Sequence, residues 1–406
     1  MSMANVRGLA TSREEGLVRQ MDQSSSTASH NIEIGDLITI KAQCLCKAHA
    51  FSASRARSAL PLKAACCHCT SCRRLTGSLY STCALWPNPS EDLSGLKKYS
   101  FSKNIDTFFC ETCSSKLFCR VSTLGPGAFV VTGALENAPG LVEYNSHMFV
   151  GDTIDGGASV WLPRYENSEP VKRWKEARGS EELPLDWPTP KAIPASRHRA
   201  KAFPAVTPFH CHCKGVQLSL RSAADLKADP AKESTSSCIN PETLKFKASS
   251  DSCDSCRLTF GSDVSAWTYS PLTHIDFASG DKSTSRTSEF PQTLAALKQA
   301  VTTAEGKDPR LGTLAVYNSS PEVERYFCST CSACIFYAVH DREGMVDIAI
   351  GLLDHPDGAR AEGLLAWSYG RVGWELDVAG GWREKLVASA KKLSKEWISL
   401  NHGDST

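Results

Sequence analysis

"CTSCRRLTGS", residues 69–78, recurs as "CDSCRLTFGS", residues 253–262, and that pairing decides how the rest of the chain is read. The other cysteine signatures also come twice. "CLC" at Cys44 to Cys46 returns as "CHC" at Cys211 to Cys213, and "FFCETC", ending at Cys113, returns as "YFCSTC", ending at Cys331. The interval from Gly77 to Pro87 equals that from Gly261 to Pro271, and "VVTGAL", residues 130–135, is echoed by "IAIGLL", residues 348–353. Signatures repeated in order, with local spacing kept, mark a duplicated unit. The second copy is longer through "SEFPQTLAALKQAVTTAEGKDPRLG", residues 288–312, which reads as an inserted helix and loop.

Within each copy the texture is that of short strands. "LYSTCALWP", "TFFCETCSSKLFCRV" and "GAFVVTGAL" are strand-length runs bounded by Gly, Pro or Ser, so the fold class is mainly β. Residues 1–36 are polar and Ser-rich and read as disordered. Residues 37–163 form the first domain and 208–378 the second. Between them, residues 164–207 are rich in Pro and charge and read as a linker that packs in part through Trp174 and Trp187. In the last segment, 379–406, Trp382, Leu386, Ala390, Leu393, Trp397 and Leu400 fall at steps of three and four, an amphipathic helix that docks on the core.

Composition narrows the function. With 45 basic against 44 acidic side chains the formal charge is +1, which argues against nucleic acid as a partner. No apolar run approaches the roughly 18 to 20 residues that span a bilayer, so no membrane role is expected. The N-terminal stretch lacks the apolar core of a signal peptide, so the expected location is intracellular, in the cytoplasm. Eighteen cysteines in a reducing compartment then point to metal rather than to disulfides.

Cys44 and Cys46, two apart on a strand, face one side together, and Cys110 and Cys113 supply a C-x-x-C knuckle. Four thiolates make a closed tetrahedral zinc site of the structural kind. Cys211, Cys213, Cys328 and Cys331 repeat all four positions. Cys67, Cys69 and Cys72 differ, because three thiolates leave one coordination position open, the design of a catalytic zinc. A structural site completed by Cys83, or unmetallated thiols, is the alternative. Cys66 should point away from Cys67. In the second copy Cys253 and Cys256 remain as metal ligands but Asp251 stands where Cys67 stood, so this site is expected to be degenerate, unless Cys238 substitutes from a loop. His68 and His212, each between cysteines, should face away from the metal, at the surface or in support of the ligands.

These motifs together resemble the glutathione-dependent formaldehyde-activating (GFA) family, which also contains centromere protein V. The resemblance implies two tandem zinc-containing β-tent domains of small antiparallel sheets, each with one structural zinc. It further implies a catalytic zinc at Cys67, Cys69 and Cys72 in the first domain and a carbon–sulfur lyase activity on a glutathione adduct such as S-hydroxymethylglutathione. Glutathione, or its aldehyde adduct, is the implied partner, and Arg73 is the candidate for binding one of its carboxylates. The family's glycines after the first C-x-C and at the last knuckle are replaced here by Lys47 and Ala48, by Ser114 and by Ser332. A non-catalytic zinc scaffold that binds a protein or chromatin partner is the rival reading.

Overall fold

The computed structural model describes residues 36–162, 171–188, 204–223, 226, 238–278, 289–303 and 307–402. Almost all of the segment expected to be disordered lies outside these residues. In the N-terminal half the strands are β1 (Leu37–Gln43), β2 (Ala50–Ala56), β3 (Leu62–Cys67), β4 (Ser81–Leu85), β5 (Lys97–Ser100), β6 (Ile105–Phe109), β7 (Lys116–Val121), β8 (Ala128–Val131), β9 (Val142–Met148) and β10 (Lys172–Arg173). The C-terminal half contains β11 (Val206–His210), β12 (Gln217–Arg221), β13 (Ile239–Asn240), β14 (Lys245–Asp251), β15 (Ser265–Pro271), β16 (Ile275–Phe277), β17 (Leu314–Ser320), β18 (Val323–Cys328), β19 (Cys334–Val339), β20 (Met345–Ala349) and β21 (Leu365–Gly373). Helices are few: α1 (Thr70–Thr76), α2 (Asp254–Phe260), α3 (Leu294–Thr302) and α4 (Trp382–His402).

The repeat read from the cysteines is a repeat of topology. One eight-stranded sheet runs β10-β9-β3-β4-β8-β7-β6-β5, and the other runs β13-β14-β15-β20-β19-β18-β17 with β21 added beside β14. Thus β9 beside β3 corresponds to β21 beside β14, both parallel, and the antiparallel order from β3 to β5 corresponds to that from β14 to β17. The hairpin β1–β2 corresponds to β11–β12, which gains β16. Alternation along β1, "LITIKAQ", buries Ile40 and Ala42 and leaves their neighbours outside, as one-sided strands require. The inserted helix of the second copy is α3, capped by the Thr293 hydroxyl, which accepts from Ala296 N at 3.1 Å.

The two halves share one core rather than owning two. A single cluster of buried apolar side chains includes Ile40, Leu62 and Val130 from the first half and Phe209, Phe246 and Ile348 from the second. Reciprocal backbone contacts seal the seam: Gly351 N donates to Gly77 O at 2.8 Å, and Gly133 N donates to Gly261 O at 3.3 Å. Gly133 and Gly351 are the glycines of "VVTGAL" and "IAIGLL". A Cβ on Gly351 would sit 2.0 Å from Ser78 O, and one on Gly133 would sit 2.5 Å from Arg257 O. Because both obstacles are backbone, nothing inexpensive can yield. Gly351→Ala is therefore expected to lower the unfolding free energy by about 2–3 kcal/mol, read from urea unfolding; wild-type stability would show that the halves do not need this approach.

Charge is also buried along the seam. Asp263 is fully buried and accepts from Thr132 Oγ1 at 2.5 Å, from the Tyr144 hydroxyl and from Arg383 Nε at 2.7 Å. Arg383, equally buried on α4, also donates to Thr132 O and Leu135 O. The network thus ties the first half, the second half and the C-terminal helix together. Truncating Asp263 would strand the guanidinium without a counter-charge, so Asp263→Ala should cost about 3–5 kcal/mol. A loss below 1 kcal/mol in heat or urea unfolding would contradict the tie. On α4 itself Trp382, Leu386 and Ala390 are buried and Leu393 half-buried, which is the expected docked stripe; Leu400 falls among side chains outside those described.

Residues 171–188, part of the stretch read as a linker, lie on the first half. β10 pairs in parallel with β9, and Phe149 N, Val150 N and Gly151 N donate to Glu176 O, Trp174 O and Lys175 O. Trp174 and Ala177 pack against Cys67, Met148 and Phe149.

Candidate metal centres

The first sulfur set joins the end of the β1–β2 hairpin to the β6–β7 turn. Cys44 Sγ lies 3.5 Å from Cys46 Sγ, which lies 3.6 Å from Cys110 Sγ, and all four ligand atoms of Cys44, Cys46, Cys110 and Cys113 fall within 4.8 Å of one another. Its copy at Cys211, Cys213, Cys328 and Cys331 shows 3.6 and 3.5 Å for the matching pairs. A tetrahedron with metal–sulfur bonds of about 2.3 Å has edges of about 3.8 Å, whereas a disulfide would need about 2.05 Å. Both sets therefore fit a four-thiolate zinc, and every described cysteine is free of a disulfide. Amide donors are already in place, with His49 N on Cys44 Sγ at 3.3 Å and Val216 N on Cys211 Sγ at 3.3 Å.

The turns explain the replaced glycines. Lys47 and Lys214 stand at φ 62° and 58°, and Ser114 and Ser332 at 58° and 62°. These are left-handed positions, which glycine occupies without strain and which cost other residues roughly 1–2 kcal/mol. Ligation can repay that cost locally.

Each half also holds a three-donor set where a strand feeds a short helix. β3 delivers Cys67, Cys69 caps α1 by accepting from Cys72 N at 3.3 Å, and Cys72 follows one turn later. Cys66 and Cys67 do diverge: Cys66 joins the main core and Cys67 a separate cluster with Met148 and Phe149. Hydrogen bonds from the thiols of Cys67 and Cys72 hold Cys69 well below the usual thiol range, while the same sulfur contacts together with burial hold Cys67 and Cys72 above it, so the three sulfurs share one thiolate charge when nothing is bound. Cys83 does not complete it. Its thiol is pushed up by a hydrogen bond with Cys119, in a different apolar cluster. Among the described residues no fourth protein donor joins Cys67, Cys69 and Cys72.

Three polar neighbours of the sulfur sets are buried or half-buried. His68 is not at the surface: it is fully buried, with Nε2 2.9 Å from His147 Nδ1, and burial holds both rings below the ordinary imidazole range, His147 at about 3. His212 is half-buried against the first half, its Nδ1 2.7 Å from the Tyr99 hydroxyl and its ring stacked on Phe101. Arg73 is 5% exposed, its Nε and Nη2 donating to His68 O, Thr70 Oγ1 and Asp152 O.

In the second half Asp251, Cys253 and Cys256 come together within 4.8 Å in the equivalent place, between β14 and α2. Cys238 stays apart in the main core. Cys253 accepts from Cys256 N at 3.3 Å, as Cys69 does from Cys72, and Asp377 accepts from Asp254 N as Asp152 does from Thr70 N. Above this set lies a cavity of about 530 Å³. Sequence reading missed its charged groups. Arg325 sits where the strand register puts Thr107 in the first copy, and Asp347 where it puts Phe129, so neither shows as part of a repeated motif.

Burial raises Asp347 to about 6, against the pull of Arg342, which bonds it at 2.7 Å. A carboxyl raised on folding stabilises below its unfolded value of 3.8 and loses that contribution as pH rises through 6. Stability should therefore fall by up to about 3 kcal/mol across that window relative to Asp347→Asn. Urea unfolding of both proteins at several pH values checks this; a difference that does not change with pH would refute it.

Each half of this duplicated β protein thus carries a four-sulfur set and a three-donor set, and each of the four sets could hold a metal ion. Residues 39–152 match the family described as Glutathione-dependent formaldehyde-activating enzyme, and that segment carries the first sulfur set and the Cys67, Cys69 and Cys72 set. No curated protein and no solved structure matches the chain. No helix among the described residues is long and apolar enough to cross a membrane.

Proposed function

We propose that the N-terminal half is a zinc-dependent carbon–sulfur lyase that forms or cleaves a glutathione adduct of an aldehyde, formaldehyde in the first instance. The observation that carries this reading is the gathering of Cys67, Cys69 and Cys72 without a fourth donor among the described residues, inside the segment that matches the glutathione-dependent family. Zinc bound there would supply positive charge that keeps a glutathione sulfur as its thiolate. In the forming direction the thiol gives up its proton to solvent, the sulfur attacks the carbonyl carbon so that a carbon–sulfur bond forms as the C=O π bond breaks, and the resulting alkoxide takes a proton back from water. Cleavage is the reverse.

The chain's own residues set the stage. Three thiolates around a dication leave a net charge near −1, which the buried Arg73 beside Cys69 offsets. Its three acceptors fit it for neutralising and positioning better than for direct capture of a glutathione carboxylate, so we assign it the former role. Asp152 O and Thr70 Oγ1 fix its direction. An intracellular, reducing setting would keep these thiols available. The four-thiolate sets would each hold a structural zinc.

Exchange spectroscopy of glutathione with ¹³C-formaldehyde tests the reading. Trace amounts of the protein should accelerate exchange between free aldehyde and S-hydroxymethylglutathione, and exchange at the uncatalysed rate would refute it. Arg73→Met should weaken zinc retention at Cys67, Cys69 and Cys72, because it removes the neutralising cation while the four-thiolate sets are untouched. An unchanged zinc count and unchanged exchange would show that Arg73 serves neither role.

A further inference from the structure

We propose that Asp251, Cys253 and Cys256 form a second open metal site, of mixed oxygen and sulfur donors, whose free position faces the 530 Å³ cavity and takes a small oxygen-donor ligand such as a carboxylate or a carbonyl compound. The proposal is independent of the lyase reading of the first half.

The sequence makes this copy look like a decayed one. The structure does not have the features of decay. A carboxylate in place of Cys67 keeps the charge of the donor set at three negatives, and the backbone that presents the donors is retained down to the capping of Cys253 and the Asp377 contact. Where the first half has Cys83 and Cys119 in an apolar cluster, the register places Trp267 and Tyr337 in the cavity wall. A site released from use would be expected to fill with apolar side chains; this one has an open cavity with charged groups in it.

Arg325 is the independent observation. Its side chain is buried, 3% exposed, and Asp347, a carboxylate of the same cavity wall that feels its charge, is itself bonded to Arg342. Its guanidinium donates to Ser255 Oγ at 2.7 Å, Ser319 Oγ at 3.2 Å and Thr259 Oγ1 at 3.4 Å, and lies 3.8 and 3.9 Å from Cys256 Sγ. With Asp347 held by Arg342, the sulfur pair is the group beside this buried cation that can supply a balancing negative charge. A dication bound by Asp251, Cys253 and Cys256 would carry a net −1 that Arg325 neutralises, the balance Arg73 gives in the first half. Exchanging one sulfur for oxygen makes the set harder, which favours an oxygen ligand at the free position over a thiolate.

The test is ¹¹³Cd NMR and native mass spectrometry of the full chain. The cadmium-loaded protein should show a resonance upfield of the four-thiolate ones, retained in Cys67→Ser. It should move downfield in Asp251→Cys and shift when acetohydroxamate is added. In zinc-grown protein, Cys253→Ser/Cys256→Ser should lose one zinc ion. Absence of the mixed-donor resonance, or an unchanged zinc count in the folded double variant, would overturn the metal site. A resonance indifferent to acetohydroxamate would overturn the open position.

Discussion

Cys44→Ser is expected to prevent the chain from folding stably, and not merely to weaken the first half. A structural zinc in a small site contributes roughly 10–16 kcal/mol of apparent binding energy, comparable to or larger than the 5–15 kcal/mol that holds a whole domain together. Cys44 is fully buried at the hub of its set, with His49 N already directed at its sulfur. The shared core transmits the damage, since Tyr317 from β17 lies beside this sulfur set and Tyr99 from β5 beside the other, each raised by burial first and then by the neighbouring sulfurs. Near-UV circular dichroism and heat unfolding should both lose their cooperative signal. Retention of a wild-type transition in Cys44→Ser would show that the sulfur set is not what holds the fold.

Cys67→Ser should do the opposite: keep the fold and remove the activity. The side chain lies at the end of β3 in a small cluster with Met148 and Phe149, outside the main core, and a serine there is nearly isosteric. What it cannot do is replace a thiolate in a three-donor set, and losing a member of a group that acts as a unit typically costs on the order of a thousandfold or more in turnover. Exchange between formaldehyde and S-hydroxymethylglutathione should fall to the uncatalysed rate while the unfolding midpoint stays near wild type. Unchanged exchange would remove Cys67, Cys69 and Cys72 from the chemistry.

The duplication, the β class and both four-thiolate sets were legible because cysteine spacing is a local property: two residues on a strand, three across a turn. Strand pairing then only has to bring two local pairs together. Glycine gave a weaker signal. Gly133 and Gly351 stand in matching motifs, yet that they meet Gly261 and Gly77 across the seam depends on how the halves dock, which no local pattern encodes. The same limit hid His68, whose alternation with Cys67 and Cys69 predicts only that it faces away from them, not that His147 fills the space it faces. Residues 171–188 read as a linker from their Pro and charge content, and their place beside β9 comes from main-chain hydrogen bonds that composition does not reveal. The cavity above Asp251, Cys253 and Cys256 was least legible. Its Arg325 and Asp347 occupy positions where the first copy has Thr107 and Phe129, so comparing the copies for shared residues passes over the differences that build it.

A division of labour among metal sites, two that hold the fold and open ones that meet ligands, can be counted by native mass spectrometry of the zinc-grown chain with and without glutathione. Four zinc ions per chain are expected, with a glutathione adduct that disappears in Cys67→Ser. Three ions with that adduct would remove the Asp251 site alone. Two ions, indifferent to glutathione, would contradict the division and favour a zinc scaffold without catalysis.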